Sequence, residues 1–174
     1  MPDSAGRLAA SGEIKHMSSK VKPIPEGYHN LTPYLIVKGL SKAIEFYKNA
    51  FSAVERETYQ GPDGKVYRAE LQFGDSILML AEEYPENGAF SPISAKPSDY
   101  ALYFYVSDVD SAYAKAIKAG AKQKTPITDQ FWGDRYGQIV DPFGYTWALA
   151  THFEDVSKED RKKRMEEQFA AATK

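Results

Sequence analysis

The chain contains no cysteine, which removes a disulfide framework, a thiolate metal site and a cysteine nucleophile together. That absence is neutral about compartment, because a protein of the cytoplasm needs no disulfides. No apolar run approaches the roughly 18 residues that a membrane span requires, so no membrane partner is expected. Histidine is scarce, with His16, His29 and His152 alone. Charge of one sign is not in excess either: 22 Lys and Arg stand against 24 Asp and Glu, a formal net charge of −2. Such a balance supplies no field for holding nucleic acid through its phosphates. Several signatures are missing as well. There is no GxGxxG or GxxxxGK[ST] phosphate cradle and no GxSxG elbow. A true methyltransferase would need a Rossmann-like sheet with a Gly-rich loop, which the strand and helix order read below excludes.

What is present is enough for a packed domain: 174 residues, 43% hydrophobic and 13% aromatic, a size that fits one core. Met1 to His16 has small and charged residues but lacks the apolar stretch of a secretory signal. Followed by Met17-Ser18-Ser19-Lys20, it reads as a vector-derived or disordered leader, and residues 1–25 are set aside from the fold. A cytoplasmic protein is expected. Pro23 and Pro25 mark an extended entry segment.

Residues 31–37 are rich in β-formers, with Pro33 arguing for an edge or N-terminal position. Leu40, Ala43, Ile44, Tyr47 and Phe51 then fall at helical spacing. Val54 to Gln60, Val66 to Phe73 and Ser76 to Ala81 read as strands separated by Gly61-Pro62-Asp63-Gly64 and Gly74-Asp75 turns. After a loop from Tyr84 to Ser98 the order repeats. Tyr100 to Val106 is a strand, Val109 to Ile117 a helix with Gly120 at its C-terminal cap, and three more strand candidates follow at 124–128, 136–140 and 145–151. Val37 and Val106 are 69 positions apart, and so are Leu80 and Leu149. The chain is therefore expected to be α+β, with tandem βαβββ modules (about 29–83 and 99–154) forming a cupped mixed sheet over residues 26–154. Residues 155–174 form a C-terminal helix capped by Ser157. Its Met165, Phe169 and Ala172 make a narrow apolar stripe. Its Arg161-Lys162-Lys163-Arg164 run, followed by Glu166-Glu167, reads as a solvated face.

Specific segments carry a family likeness. Leu35-Ile-Val-Lys-Gly-Leu-Ser-Lys-Ala-Ile-Glu-Phe-Tyr47, Val106-Ser-Asp-Val-Asp110 and Asp141-Pro-Phe-Gly-Tyr-Thr-Trp147 resemble the vicinal oxygen chelate superfamily of glyoxalases, bleomycin-resistance proteins and dioxygenases. Phe131-Trp-Gly-Asp-Arg-Tyr-Gly137 and Ala150-Thr-His-Phe-Glu-Asp-Val156 resemble its PhnB-like branch. The likeness implies a cup built from both modules, often in a homodimer. It also implies that metal-dependent members place four His, Glu or Gln ligands on the cup floor, a donor set suited to divalent ions. Carried over residue by residue, those positions are Thr32, Met79, Ala101 and Ala148, and none is a competent ligand. No metal or other cofactor is expected there, nor glyoxalase I or extradiol dioxygenase chemistry.

Strand parity places Tyr34, Tyr103, Tyr105 and Thr146 in the cup with Met79, a wall suited to a flat or apolar small molecule. The same aromatic positions also suit plain core. Phe131-Trp132-Gly133-Asp134-Arg135 could close over a pocket with Arg135 pairing an anion. Alternatively, Asp134 and Arg135 pair with each other and Trp132 plugs the module interface. The leading expectation is a metal-free binder of a small aromatic or apolar ligand, acting as a homodimer. The rival is an enzyme using Glu70, Arg135 or His152 for acid–base work, with or without a displaced metal near His29 and His152.

Overall fold

The computed structural model describes residues 23–95 and 100–172. Residues 1–22 of the expected 1–25 leader, residues 96–98 of the long loop, and the side chains of Phe169 and Ala172 lie outside the described residues. Module one comprises β1 (Tyr34–Val37), α1 (Leu40–Phe51), β2 (Val54–Gln60), β3 (Val66–Phe73) and β4 (Ser76–Glu82). Module two comprises β5 (Ala101–Tyr105), α2 (Val109–Lys118), β6 (Lys122–Asp129), β7 (Asp134–Val140) and β8 (Thr146–His152), and α3 (Lys158–Ala172) follows. Each module forms a four-stranded mixed sheet, ordered β1-β4-β3-β2 and β5-β8-β7-β6. In both, the first strand runs parallel to the last. The α+β class and the doubled βαβββ unit are as the sequence pattern implies.

Strand β1 starts three residues later than its β-rich sequence suggests. Pro33 has no N–H for a ladder, and the Thr32 hydroxyl donates back to the His29 carbonyl at 3.0 Å. In register, Tyr34 lies opposite Met79 and Tyr103 opposite Ala148. Glu70 lies opposite Met79, but Gln138 opposite Ala148. The 69-residue spacing therefore holds in the first and last strands and slips to 68 in the third.

The alternation of each strand gives its sheet one inner and one outer face. The helices pack on the inner faces and on each other. Leu40, Ala43, Ile44, Tyr47 and Ala50 of α1 and Val109, Tyr113 and Ala116 of α2 are buried there. With Leu35, Val37, Leu71 and Leu80 of one sheet and Ile139, Trp147 and Leu149 of the other they make a single core. Phe73 stacks on Trp147 and meets Phe104 edge-on, both with ring centroids 5.6 Å apart.

The two helices start in matched ways. At α1 the preceding Gly39 offers no side chain, and Glu82 from the end of β4 accepts from the Gly39 and Leu40 N–H groups at 2.7 and 2.6 Å. At α2 the residue 69 positions later, Thr151, accepts from Val109 N–H at 2.8 Å, beside Asp108, which caps Ser111 N–H. Both devices satisfy donors that a helix start leaves without partners.

The Asp141-Pro-Phe-Gly144 turn ties the modules together. The buried Asp141 carboxylate accepts from the Phe143 and Tyr145 backbones, from Trp147 Nε1 at 2.9 Å, and from the Tyr47 hydroxyl of α1 at 2.8 Å. Tyr145 reaches across to β1, where its hydroxyl accepts from Ile36 N–H at 3.1 Å and donates to Ile36 O at 2.7 Å.

Candidate functional site

The outer face of module two is organised around one carboxylate. Asp134 opens β7 and is 1% exposed. Its Oδ2 accepts from the Tyr103 and Tyr105 hydroxyls and from Trp132 Nε1, each at 2.9 Å, and its Oδ1 meets His152 Nδ1 at 2.7 Å. Strand pairing brings these groups together: Asp134 lies opposite His152 on β8, and β5 flanks β8 on the other side. Ala148 and Ala150 sit beneath, opposite Tyr103 and Tyr105. Their small side chains leave room for the tyrosine rings to lie over the sheet, and both alanines are buried. The Tyr103 and Tyr136 rings stack at 5.6 Å, and Tyr105 lies 5.0 Å from Tyr103. The rings stay 47% and 58% exposed at Tyr103 and Tyr105, so the polar ends are anchored while the aromatic surfaces face outward.

Gly133 sets Trp132 in place. Its φ of +95° suits glycine, and an added Cβ would lie 2.0 Å from the Glu154 carbonyl oxygen. Burial raises the Asp134 carboxyl, but the hydrogen bonds from His152, Tyr105, Tyr103 and Trp132 outweigh it and hold the group below its usual range. The bond to Asp134, with a second to Asp155, raises His152. Burial and the bond to Asp134 raise Tyr103.

The corresponding face of module one holds a cavity of about 570 Å³ lined by Tyr34, Tyr59, Arg68, Glu70 and Met79, with Tyr67 and Gly61 at its rim. A Cβ on Gly61 would fall 2.4 Å from the Tyr67 ring, so a larger residue there would displace that ring. Tyr28, in the segment before β1, donates its hydroxyl to Glu70 Oε2. Arg56 lies over the Tyr28 ring, 5.5 Å from its centroid. The bond to Glu70 pushes Tyr28 up to about 12.

The sequence-selected residues thus divide. Tyr34, Met79 and Glu70 line the module-one cavity, while Tyr103, Tyr105, Trp132 and His152 surround Asp134. Arg135 stands on the opposite face of β7, paired with Asp110 at 2.7 Å and Asp129 at 2.8 Å. The expected Asp134–Arg135 pair is not formed, because adjacent strand residues point to opposite faces. Nor does Trp132 plug the module interface, a place taken by Trp147 and Phe73. Thr32 and His29 border a smaller crevice of about 240 Å³ at the seam, which Tyr103 also lines. Thr32, Met79, Ala101 and Ala148 offer no donor set that fits a divalent ion. Among the described residues no three His, Asp or Glu side chains assemble into a metal-binding group. Asp134, the centre of the module-two cluster, is not among the site residues that the sequence singles out. Its signal was the i, i+2 tyrosine pair on β5, whose hydroxyls need a shared partner.

The profile of the Glyoxalase/Bleomycin resistance protein/Dioxygenase superfamily matches residues 27–149. The chain belongs to this superfamily. An uncharacterized protein of Mycobacterium bovis is 36% identical over 141 residues, covering 79% of this chain and 93% of the relative. The X-ray structure of an Arabidopsis thaliana gene product is 28% identical, with a TM-score of 0.56 over 71% of this chain and 98% of that one. A Bacillus cereus PhnB protein, titled a putative 3-demethylubiquinone-9 3-methyltransferase, shares the fold at 17% identity, with a TM-score of 0.56 over 71% and 99% of the two chains. The superfamily assignment agrees with the doubled βαβββ topology. Among the described residues no helix is long and apolar enough to cross a membrane.

Proposed function

We propose that the protein binds a small, flat, largely apolar molecule on its aromatic outer sheet faces, without a divalent metal at Thr32, Met79, Ala101 or Ala148. The observation that carries this is the module-one cavity, which is of ligand size and walled by Tyr34, Tyr59 and Met79. The Asp134-anchored tyrosines of module two supply a second aromatic surface whose hydroxyls are already bound, so that stacking rather than proton transfer is what it offers. Binding is favoured over acid–base catalysis by the placement of the candidate groups. Glu70 and His152 stand on the outer faces of different sheets and Arg135 on an inner one. A homodimer belongs to the same proposal, in keeping with the aromatic residues Tyr34, Tyr59, Tyr103 and Tyr105 left exposed on the two sheets.

Fluorescence titration with naphthol, elemental analysis and light scattering test this together. The expected results are saturable binding weakened on the order of tenfold by Tyr34→Ala, no stoichiometric metal, and a dimeric mass. Failure to bind any flat probe, or one divalent ion per chain, would refute it.

A further inference from the structure

The module-one cavity carries a guanidinium and a carboxylate that keep bonding capacity for a ligand. Arg68 and Glu70 are alternate residues of β3 and project to the same outer face, both into the cavity. Arg68 is exposed, and among the described residues no carboxylate pairs with it. This contrasts with Arg135 and Arg164, which hold Asp110, Asp129 and Glu154. Glu70 accepts from the Tyr28 hydroxyl through Oε2, and among the described residues no donor takes its Oε1. Tyr28 in turn lies against Arg56, so the Glu70 carboxylate is held in place at the cavity wall. Around these two groups stand Tyr34, Tyr59 and Met79.

Two strand residues on one face are separated by about 6.6 Å. Both side chains are long enough for their end groups to splay apart and bracket a ring, each about 2.8–3.0 Å from the ligand group it binds. We propose that the cavity takes a small aromatic acid bearing a hydrogen-bond donor, a hydroxyl or amine, opposite its carboxylate. The Arg68 guanidinium presents a planar fork of donors that matches a carboxylate. Glu70 Oε1 accepts from the donor at the other end, while the tyrosine rings and Met79 cover the ring faces. Polarity fixes the ligand's direction, because the reverse placement would set its carboxylate against Glu70. A dianionic phosphate is a poorer match for one guanidinium beside a carboxylate. The proposal depends on the cavity being the ligand site proposed above and adds the charge and polarity of the ligand.

The test is calorimetric titration of the full chain with para-hydroxybenzoate, its methyl ester and benzoate, repeated on Arg68→Gln and Glu70→Gln. The acid is expected to bind on the order of tenfold more tightly than the ester, and Arg68→Gln is expected to abolish that preference. Loss of the ring hydroxyl, in benzoate, is expected to weaken binding in the native protein but not further in Glu70→Gln. If the ester binds as well as the acid, or Arg68→Gln leaves acid binding unchanged, the charged recognition is refuted while an aromatic cavity survives. If none of the three probes binds, both proposals fall. The comparison of probes on the native protein stands even if a variant does not fold.

Discussion

His152 and Asp134 shift one another in opposite directions, and the two signs define a pH window. The His152 ring is raised by its bond to Asp134, so its contribution to stability is complete below the ordinary histidine value of about 6.5 and is lost as pH climbs through the raised value. The Asp134 carboxyl, lowered by its four donors against the effect of burial, contributes above about 3.9 and fades as pH falls through the lowered value. The pair therefore stabilises most between those limits. The denaturant midpoint is expected to decline as pH is raised from about 6 to about 9, and His152→Gln to remove most of the decline. An unchanged slope in that variant would show that another group titrates. At this scale the sequence was a partial guide. His152 and Trp132 stood out by type, but adjacency in the chain suggested an Asp134–Arg135 pair that the pleat separates. The four donors of Asp134 come from two other strands, β5 and β8, and the loop before β7, and no local pattern reports such convergence.

Secondary structure was far more legible, because periodicity is local. The bounds of β2 and β3 match the alternation in the sequence, and Ser157 caps α3 through the Asp160 N–H as its position implies. What sequence did not display is how α1 begins. Its N-terminus is capped not by a neighbour but by Glu82, 42 and 43 residues onward. A carboxylate there satisfies two backbone donors and complements the positive end of the helix dipole. Glu82→Ala is expected to lower stability by about 1–2 kcal/mol, read as a shifted urea midpoint at constant slope. Thr151→Val, which removes the matched contact at α2, is expected to cost about 1 kcal/mol. Equal midpoints for Glu82→Ala and the native chain would deny the cap its role.

For the whole molecule, the duplication and the superfamily could be inferred from the 69-residue spacing and a few short segments. The relative placement of the sheets could not. Parity fixes which face of a strand a residue occupies, but it does not say which sheet that face confronts. Tyr34 and Tyr103 occupy matched positions and lie on different sheets. The inner faces meet instead, through Phe73, Phe104 and Trp147, and through the Tyr47–Asp141 bond. This shared core predicts that the modules unfold as one. Phe73→Ala is expected to cost about 3–5 kcal/mol while tryptophan fluorescence and far-UV circular dichroism still report a single coincident transition. Two separated transitions in the native protein would show that the modules are independent.

Tyr145 has a further consequence. An outer strand with idle N–H and C=O groups is a template on which another chain can add itself, the first step toward aggregation. Strand β1 is such an outer strand, only four residues long. The Tyr145 phenol occupies both the donor and the acceptor of Ile36 at its middle. A hydroxyl from the second module thus stands where an intruding backbone would pair, and docking of the modules also protects the first module from unwanted strand addition.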